Sequence, residues 1–151
     1  MKAEIKKILV VDDEKDLVEL LEWNLRRKGY QVMVAYDGEG AISMAKENVP
    51  DLILLDFMLP GIDGMNVLSQ LHKHDMTRNV PIVMITARRE SALIFEAIKR
   101  GATDVMHKPF SVKELMCWVE RWLSAVGLGP VNRHALRPTL PLSYVMAVKP
   151  S

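Results

Sequence analysis

Residues 52–56 have the sequence Leu52-Ile53-Leu54-Leu55-Asp56, and this stretch decides the fold. Four consecutive large apolar residues are typical of a short strand that is covered on both faces. Strands of that kind occur mostly in parallel sheets with helices packed on each side. The stretch therefore predicts a buried strand at the centre of an α/β sandwich.

Strand-like and helical patterns alternate five times along the chain. The predicted strands are 6–11, 31–36, 52–56, 81–86 and 103–107, and the predicted helices are about 14–28, 38–47, 64–74, 89–100 and 112–125. Regular alternation of this kind predicts a parallel sheet built from strand–helix units.

Short polar residues and glycines support several predicted helix ends. Gly29 and Gly101 lie where glycine commonly ends a helix, after the first and fourth helical patterns. Asp37 and Ser111 precede the second and fifth patterns and have side chains that cap helix N-termini.

The composition is that of an ordinary globular domain. The chain has 151 residues, 49% hydrophobic and 26% charged, which is enough for one domain with a sizeable core. Its apolar stretches are too short to cross a membrane, and Met1-Lys2-Ala3-Glu4 lacks the apolar core of a signal peptide. The single cysteine, Cys117, cannot form an internal disulfide. We therefore expect a cytoplasmic protein without membrane attachment.

Charge is distributed unevenly around a net value of +1. Residues 127–151 contain Arg133, Arg137 and Lys149 and no acid, so the rest of the chain has 17 basic and 19 acidic side chains. A mildly acidic body is a poor electrostatic match for a nucleic-acid backbone. We expect no direct binding of nucleic acid.

The strand–helix pattern ends near residue 126. Gly127-Leu128-Gly129-Pro130 breaks the last helical pattern, and three further prolines follow with no helical period. The sequence predicts one domain over residues 1–126 and a proline-containing tail or linker over residues 127–151. A tail of this length is too short for an effector domain, so we expect a stand-alone protein.

Polar residues follow four of the predicted strands. They are Asp12–Asp13, Asp56, Thr86 and Lys108. If the strands are parallel neighbours, their carboxyl ends share one edge of the sheet, where ligands bind in open α/β folds. The sequence therefore predicts that these residues converge.

Three converging carboxylates repel one another unless a hard cation lies between them. Mg²⁺ takes oxygen ligands and often binds through one or two carboxylates. We expect Asp13 and Asp56 to be direct ligands, Asp12 to act through a water molecule, and the backbone carbonyl of Met58 to complete the set.

The remaining residues suit phosphoryl transfer. Lys108 offers a positive charge and Thr86 a hydroxyl donor to a phosphoryl oxygen. Carboxylates serve as nucleophiles in some phosphoryl transfers. Asp56 is the best candidate for the nucleophile because it ends the predicted central strand. Taken singly, each residue has an ordinary interpretation: Asp12–Asp13 as a helix cap, and the others as solvated strand-end groups.

Four motifs follow one another along the chain: Val10-Val11-Asp12-Asp13-Glu14, Leu54-Leu55-Asp56-Phe57-Met58-Leu59-Pro60-Gly61, Ile85-Thr86-Ala87 and Gly101-Ala102-Thr103-Asp104…Lys108-Pro109-Phe110. Together and in this order, they resemble the response-regulator receiver domain of two-component signalling, and single-domain, chemotaxis-regulator-like members in particular. The resemblance extends over about residues 5–126.

The resemblance implies a flavodoxin-like fold with strand order 2-1-3-4-5. It implies that Asp56 accepts a phosphoryl group, in a Mg²⁺-dependent reaction, from a histidine kinase or a phosphotransfer protein. A protein of this kind catalyses only its own phosphorylation and dephosphorylation. The resemblance also implies a cis peptide before Pro109.

One position departs from the family's pattern. Many receivers have an aromatic residue three positions before the lysine, which moves inward when the threonine is drawn to the phosphoryl group. Here that position is Val105, which has no ring. We expect output to rely instead on the loop after Thr86 and on the fourth helix.

An apolar output surface is predicted around the fourth helix, the fifth strand and the fifth helix. The phase of the fourth helix favours Phe95 and Ile98 as core residues, which leaves Leu93 and Ile94 outward. On the fifth helix, Leu115, Val119 and Trp122 suit the core, which leaves Trp118 on or near the surface. Large exposed apolar groups suggest a surface for a downstream target or a homodimer.

We expect Leu93, Ile94, Val105 and Trp118 to form this output face. Alternatively, the apolar tail folds back over Trp118 as a lid.

Three alternatives to a stand-alone receiver remain. A phosphohydrolase with Asp56 as nucleophile resembles the haloacid-dehalogenase-like phosphatases, but these need an acid where Met58 lies. A flavodoxin-like cofactor binder needs a phosphate-cradling loop after the first strand, where Asp12-Asp13-Glu14 lies instead. The third alternative is that the chain is a receiver fragment of a larger regulator or hybrid kinase.

Overall fold

The computed structural model of the protein describes residues 4–126, and the predicted tail lies outside this range. Strands and helices alternate five times, as the sequence predicts. Their bounds are β1 Lys7–Val11, α1 Lys15–Arg27, β2 Gln31–Ala35, α2 Gly38–Asn48, β3 Leu52–Asp56, α3 Gly64–Lys73, β4 Ile82–Thr86, α4 Ser91–Lys99, β5 Asp104–His107 and α5 Val112–Val126.

All the strand pairs are parallel, and the order in the sheet is β2-β1-β3-β4-β5. The chain therefore has the predicted flavodoxin-like fold. β3 lies in the middle, paired with β1 on one side and β4 on the other. Every residue of β3 is buried, as its continuous apolar sequence predicts.

Two apolar layers cover the two faces of the sheet. Alternate strand residues point to opposite faces, so Leu9 and Ile53 join one layer while Ile8 and Leu54 join the other. The first layer packs against α2, α3 and α4, and the second packs against α1 and α5. Because all the strands are parallel, the carboxyl ends of β1, β3, β4 and β5 lie at one edge of this packed sheet.

The predicted helix ends agree with the structure. Asp37 Oδ1 accepts a hydrogen bond from the Gly40 N–H at 2.7 Å, and Ser111 Oγ accepts one from the Glu114 N–H at 3.0 Å. Gly101 follows α4 with φ +115°, a conformation that glycine adopts without steric cost.

The exposure predicted for α4 was wrong. Ile94 is buried, at 4% exposure, whereas Phe95 is 72% exposed. Leu93 and Ile98 are partly buried against the first apolar layer. The core side of α4 is therefore the face that carries Ile94 and Ala97, which are three residues apart. Phe95 follows Ile94 directly and points about 100° away from it around the helix axis.

The surface position predicted for Trp118 was also wrong. Trp118 is 7% exposed and belongs to the apolar layer beneath α5. Its ring lies 5.7 Å from that of Trp122, and the Arg121 guanidinium covers it at 5.3 Å. The core stripe of α5 is wider than the one predicted from Leu115, Val119 and Trp122. The predicted lid over Trp118 lies outside the described residues.

Among residues 4–126, no helix combines the length and the apolar character needed to cross a bilayer.

Candidate functional site

The strand ends bring the predicted residues to one edge of the sheet. Asp56 ends β3 opposite Ile85 of β4, and Thr86 ends β4 opposite His107 of β5. Asp12 directly follows β1, which neighbours β3 on its other side. The convergence predicted from the sequence is therefore present in the fold.

An acidic cluster, Asp12, Asp13 and Asp56, lies at this edge. One carboxylate oxygen from each residue lies within 4.8 Å of the others. Asp12 and Asp56 are buried, while Asp13 is exposed. A set of three carboxylate oxygens, one of them open to solvent, fits a hard divalent cation that retains some of its water.

Lys108 extends into the acidic cluster from the residue after β5. Its Nζ lies 2.9 Å from Asp12 Oδ2 and 3.6 Å from Asp56 Oδ2. Glu14 also approaches Nζ, at 3.6 Å, although its side chain is 64% exposed. The Lys108–Pro109 peptide is cis, as the resemblance implies.

Burial and mutual repulsion change the ionisation of this site. Burial, followed by the charge of Asp12, raises the pKa of Asp56 to about 6, although Lys108 opposes the change. Burial lowers the pKa of Lys108, but its hydrogen bond to Asp12 and the charges of Asp56, Asp12 and Glu14 outweigh that effect, so the pKa is raised. Lys108 is therefore protonated when it faces the carboxylates.

The helix-cap interpretation of Asp12–Asp13 is not supported. The N-cap of α1 is Glu14, whose side chain makes no capping bond. Asp12 Oδ1 instead accepts a hydrogen bond from the Glu14 N–H at 2.9 Å, and Asp12 Oδ2 faces Lys108. One oxygen of Asp12 is therefore held by the backbone just before α1, and the other is held by Lys108.

The backbone around Asp56 is held by the start of α3. The Met58 N–H donates to Asp56 Oδ1 at 3.3 Å, and the Gly64 N–H donates to the Phe57 carbonyl at 3.0 Å. A Cβ at Gly64 would overlap the Asp56 carbonyl oxygen, so only glycine allows this approach. The role of Gly64 was missed, although Asp63-Gly64 before a helical pattern marks the turn.

Thr86 is buried and connects to the loop that follows it. Its Oγ1 accepts a hydrogen bond from the Arg88 N–H at 2.9 Å. The Arg88 guanidinium in turn donates to the carboxylate of Glu90, with Nε 2.9 Å from Oε1. The pair of Arg88 and Glu90 was not predicted from the sequence.

A small apolar cavity of about 10 Å³ lies between Thr86 and α4. Its lining residues are Phe57, Met84, Thr86, Leu93, Ile94, Ala97 and Val105. Val105 is 3% exposed, so it is part of the interior and not of an outer surface. The predicted output face, Leu93, Ile94, Val105 and Trp118, is therefore mostly interior.

Comparisons with known proteins identify the family to which the chain belongs. The family model for the response regulator receiver domain matches residues 8–120. A putative response regulator from Chloroflexus aurantiacus J-10-fl is 36% identical with a TM-score of 0.74, and the match covers 80% of this chain and 99% of that one. The chemotaxis response regulator CheY4 of Vibrio cholerae is 27% identical with a TM-score of 0.75, covering 79% and 99% of the two chains.

A longer relative is similar over only part of its length. NtrX from Brucella abortus is 33% identical with a TM-score of 0.75, and the match covers 83% of this chain but 29% of that one. The family model covers most of the chain, from the second residue of β1 through β5, and includes the acidic cluster. The chain therefore belongs to the response regulator receiver domains of two-component systems.

Proposed function

We propose that Asp56 accepts a phosphoryl group from a phosphohistidine on a histidine kinase or a phosphotransfer protein, and that this changes the contacts of the chain with a downstream partner. The observation that carries the proposal is the acidic cluster with Lys108 beside it. Asp56 ends the central strand of the sheet, and Lys108 Nζ lies 3.6 Å from Asp56 Oδ2.

In the proposed reaction, a carboxylate oxygen of Asp56 forms a bond to phosphorus as the phosphorus–nitrogen bond of the donor histidine breaks. The imidazole leaves with the electron pair of that bond. Asp56 must be ionised to attack, and with a pKa of about 6 it is largely ionised at neutral pH. The positive charge of Lys108 lies where negative charge on the phosphoryl oxygens needs stabilisation.

The residues that would hold Mg²⁺ are Asp12, Asp13, Asp56 and the backbone carbonyl of Met58. The set of hard oxygen donors supports this choice of cation. When bound, Mg²⁺ supplies charge neutralisation at the phosphoryl oxygens. Asp12 keeps its place through the Glu14 N–H and Lys108, which orients its carboxylate toward the cluster.

Thr86 is proposed to donate its hydroxyl proton to a phosphoryl oxygen. Its buried side chain ends β4, next to β3 and Asp56, which supports this role. A hydroxyl has one donor and two acceptor positions, so Thr86 can keep the bond from the Arg88 N–H while it donates.

The proposed chemistry is limited to phosphorylation and dephosphorylation of the chain itself. A phosphohydrolase acting on external substrates would need a general acid–base near Asp56. The candidate position is Met58, whose thioether does not transfer protons at physiological pH and whose side chain is 60% exposed. We therefore favour a signalling switch over a phosphohydrolase.

The proposed output surface is the outer side of α4 with the neighbouring β5 and α5. Phe95 is its large exposed apolar residue, at 72% exposure. Leu93, Ile94 and Val105 lie beneath this surface. In the proposed mechanism they transmit structural changes to the surface and do not themselves contact the partner. We propose that this surface binds a downstream target or a second copy of the chain, without direct contact to nucleic acid.

The test is phosphorylation of the purified chain by acetyl phosphate with Mg²⁺, followed by mass spectrometry of the intact protein. We expect one phosphoryl group, labile to hydroxylamine as acyl phosphates are. Asp56→Asn should abolish it. Asp37→Asn is the matched control, because Asp37 is an exposed helix cap outside the acidic cluster. Equal labelling of the Asp56→Asn variant would contradict the proposal.

A further inference from the structure

A groove lies between α3 and the end of α4, which we call the α3–α4 groove. Its volume is about 500 Å³, within the range of pockets that hold small molecules. Its lining residues are all polar or charged, and they are Asn66, Ser69, His72, Lys73, Lys99 and Arg100. A groove of this size without an apolar lining residue suits a polar ligand.

The α3–α4 groove leads away from the acidic cluster. Gly64, the first residue of α3, lies against the Asp56 carbonyl oxygen, whereas His72 and Lys73 lie at the other end of the helix. An α-helix of this length extends about 15 Å, so Lys73 lies far from Asp56. The groove is therefore separate from the edge of the sheet where phosphorylation is proposed.

The α3–α4 groove is positively charged. Lys73 ends α3, Lys99 ends α4 and Arg100 follows it, and all these side chains are exposed. The acid beside them is Glu96, whose Oε1 accepts from Arg100 Nε at 2.9 Å. Among residues 4–126, no ion pair involves Lys73 or Lys99. Three positive side chains and one acid leave a net charge of +2 at the groove.

Arg100 is held between the two helices. Its Nε donates to Glu96 on α4, and its Nη1 lies 3.4 Å from Ser69 Oγ on α3. The hydrogen bond from Arg100 keeps the pKa of Glu96 below its ordinary value, so this acid is charged and is paired with Arg100. A guanidinium has more N–H donors than these contacts use, so Arg100 can also donate to a ligand.

A glycine at the end of α4 gives His72 its place in the groove. The His72 ring lies so close to Gly101 that a Cβ there would be 2.5 Å from His72 Nδ1. Gly101 also has φ +115°, which glycine adopts without steric cost. The imidazole therefore reaches the end of α4 and lines the groove from the side of α3.

Helix stability alone does not explain this arrangement. A lysine in the last turn of a helix interacts favourably with the helix dipole, as Lys46 does in α2 outside the groove. That effect does not require two helix ends to share one cavity. It also does not explain Asn66 and Ser69, which line the groove before the last turn of α3.

We propose that the α3–α4 groove binds a phosphate dianion carried by a small hydroxyl-bearing molecule of the sugar phosphate class. A phosphate monoester carries a charge of about −1.5 to −2 at neutral pH, which matches the net charge of the groove. Lys73 and Lys99 supply positive charge from two different helices, and Arg100 offers N–H donors to phosphate oxygens.

The neutral lining residues favour the hydroxyl-bearing part of the ligand. The Asn66 amide and the Ser69 hydroxyl both donate and accept hydrogen bonds, as a polyol does. An aromatic base or an acyl chain would find no apolar side chain among the lining residues. Binding in the groove needs no phosphoryl group on Asp56, so the inference goes beyond the proposed function.

The experiment titrates the full chain, without Mg²⁺, with glucose 6-phosphate, inorganic phosphate or glucose at constant ionic strength. Backbone ¹H–¹⁵N chemical shifts report where each compound binds and with what affinity. The test variant is the double substitution Lys73→Gln and Lys99→Gln. The double substitution Lys46→Gln and Lys113→Gln is the matched control, because both lysines are exposed on helices outside the groove and Lys46 also lies in a last helical turn.

We expect glucose 6-phosphate to shift the amides of residues 66–73 and 99–101 in a saturable way, and glucose to shift none of them. The test variant should weaken the affinity about 10-fold, since two charged contacts are lost, and the control should change it by less than about 2-fold. Inorganic phosphate should bind the same residues more weakly.

Equal affinities for inorganic phosphate and glucose 6-phosphate would assign the groove to the free anion and overturn the role of the hydroxyl-bearing part. The absence of saturable shifts, shifts centred on other residues, or equal losses of affinity in the test and control variants would overturn the proposal as a whole.

Discussion

The ammonium group of Lys108 lies closer to Asp12 than to Asp56, with Nζ 2.9 Å from Asp12 Oδ2 and 3.6 Å from Asp56 Oδ2. Asp12 thus holds the ammonium group of Lys108 in place. Asp56 keeps one oxygen near that charge without being fully paired to it. This asymmetry suits a residue that attacks phosphorus, since a tightly paired carboxylate is a weaker nucleophile.

Removing the charge of Lys108 should slow phosphorylation of Asp56. We expect Lys108→Met to reduce the rate with acetyl phosphate by about 100-fold, in the range seen when one stabilising group at a developing negative charge is lost. The measurement is the initial rate of acyl phosphate formation by intact mass. Lys113→Met is the control, because Lys113 is exposed on α5. A similar loss in both variants would contradict a specific role for Lys108.

Mg²⁺ affinity should fall as the pH decreases through about 6. The pKa of Asp56 is raised to about 6 without metal, so below that pH Asp56 is increasingly protonated and cannot donate an oxygen to the cation. Calorimetric titrations of Mg²⁺ between pH 5 and 8 check this, in buffers of constant ionic strength. We expect a plateau above pH 7 and a steady decrease below 6. An affinity independent of pH in this range would exclude Asp56 as a ligand.

Asp56 should destabilise the metal-free fold at neutral pH. Its pKa is raised from the ordinary 3.8 to about 6, so the folded protein binds more protons than the unfolded chain between these values, and stability falls as the pH rises. We expect Asp56→Asn to increase the free energy of unfolding by about 1–3 kcal/mol at pH 7.5 without Mg²⁺, and by much less at pH 4.5. Urea titrations at both pH values measure the difference. A larger increase in the free energy of unfolding at pH 4.5 than at pH 7.5 would contradict this prediction.

Replacing a side chain by alanine should change the stability of the protein by different amounts on the two sides of α4. Ile94→Ala should lower the free energy of unfolding by about 2–5 kcal/mol, because it opens a cavity in the core. Phe95→Ala, on the neighbouring residue, should change it by less than about 0.5 kcal/mol, because the side chain is 72% exposed. Denaturant titrations of the two variants test this. Equal losses would show that Phe95 is packed.

The sequence predicted the fold and the acidic cluster because both depend on local patterns. The continuous apolar run at β3 indicates burial on both faces, and a parallel sheet then brings Asp12, Asp56 and Thr86 to one edge without knowledge of any side-chain contact.

The face of α4 could not be predicted in the same way. Six of the nine residues of α4 are apolar, so no wide polar stripe marks the outer side. The loop contacts of Arg88 and Glu90 depend on rotamers of exposed side chains, which a linear pattern does not specify. Trp118 was assigned to the surface because three other residues already filled the expected core stripe of α5.

Chemical reduction of the phosphorylated chain tests the central claim most directly. The full chain is incubated with Mg²⁺ and acetyl phosphate, treated with borohydride to convert an aspartyl phosphate to homoserine, and sequenced by tandem mass spectrometry. We expect homoserine at position 56 and aspartate at positions 12 and 13. Homoserine at another position, or unmodified Asp56 in a protein that has taken up phosphate, would contradict it.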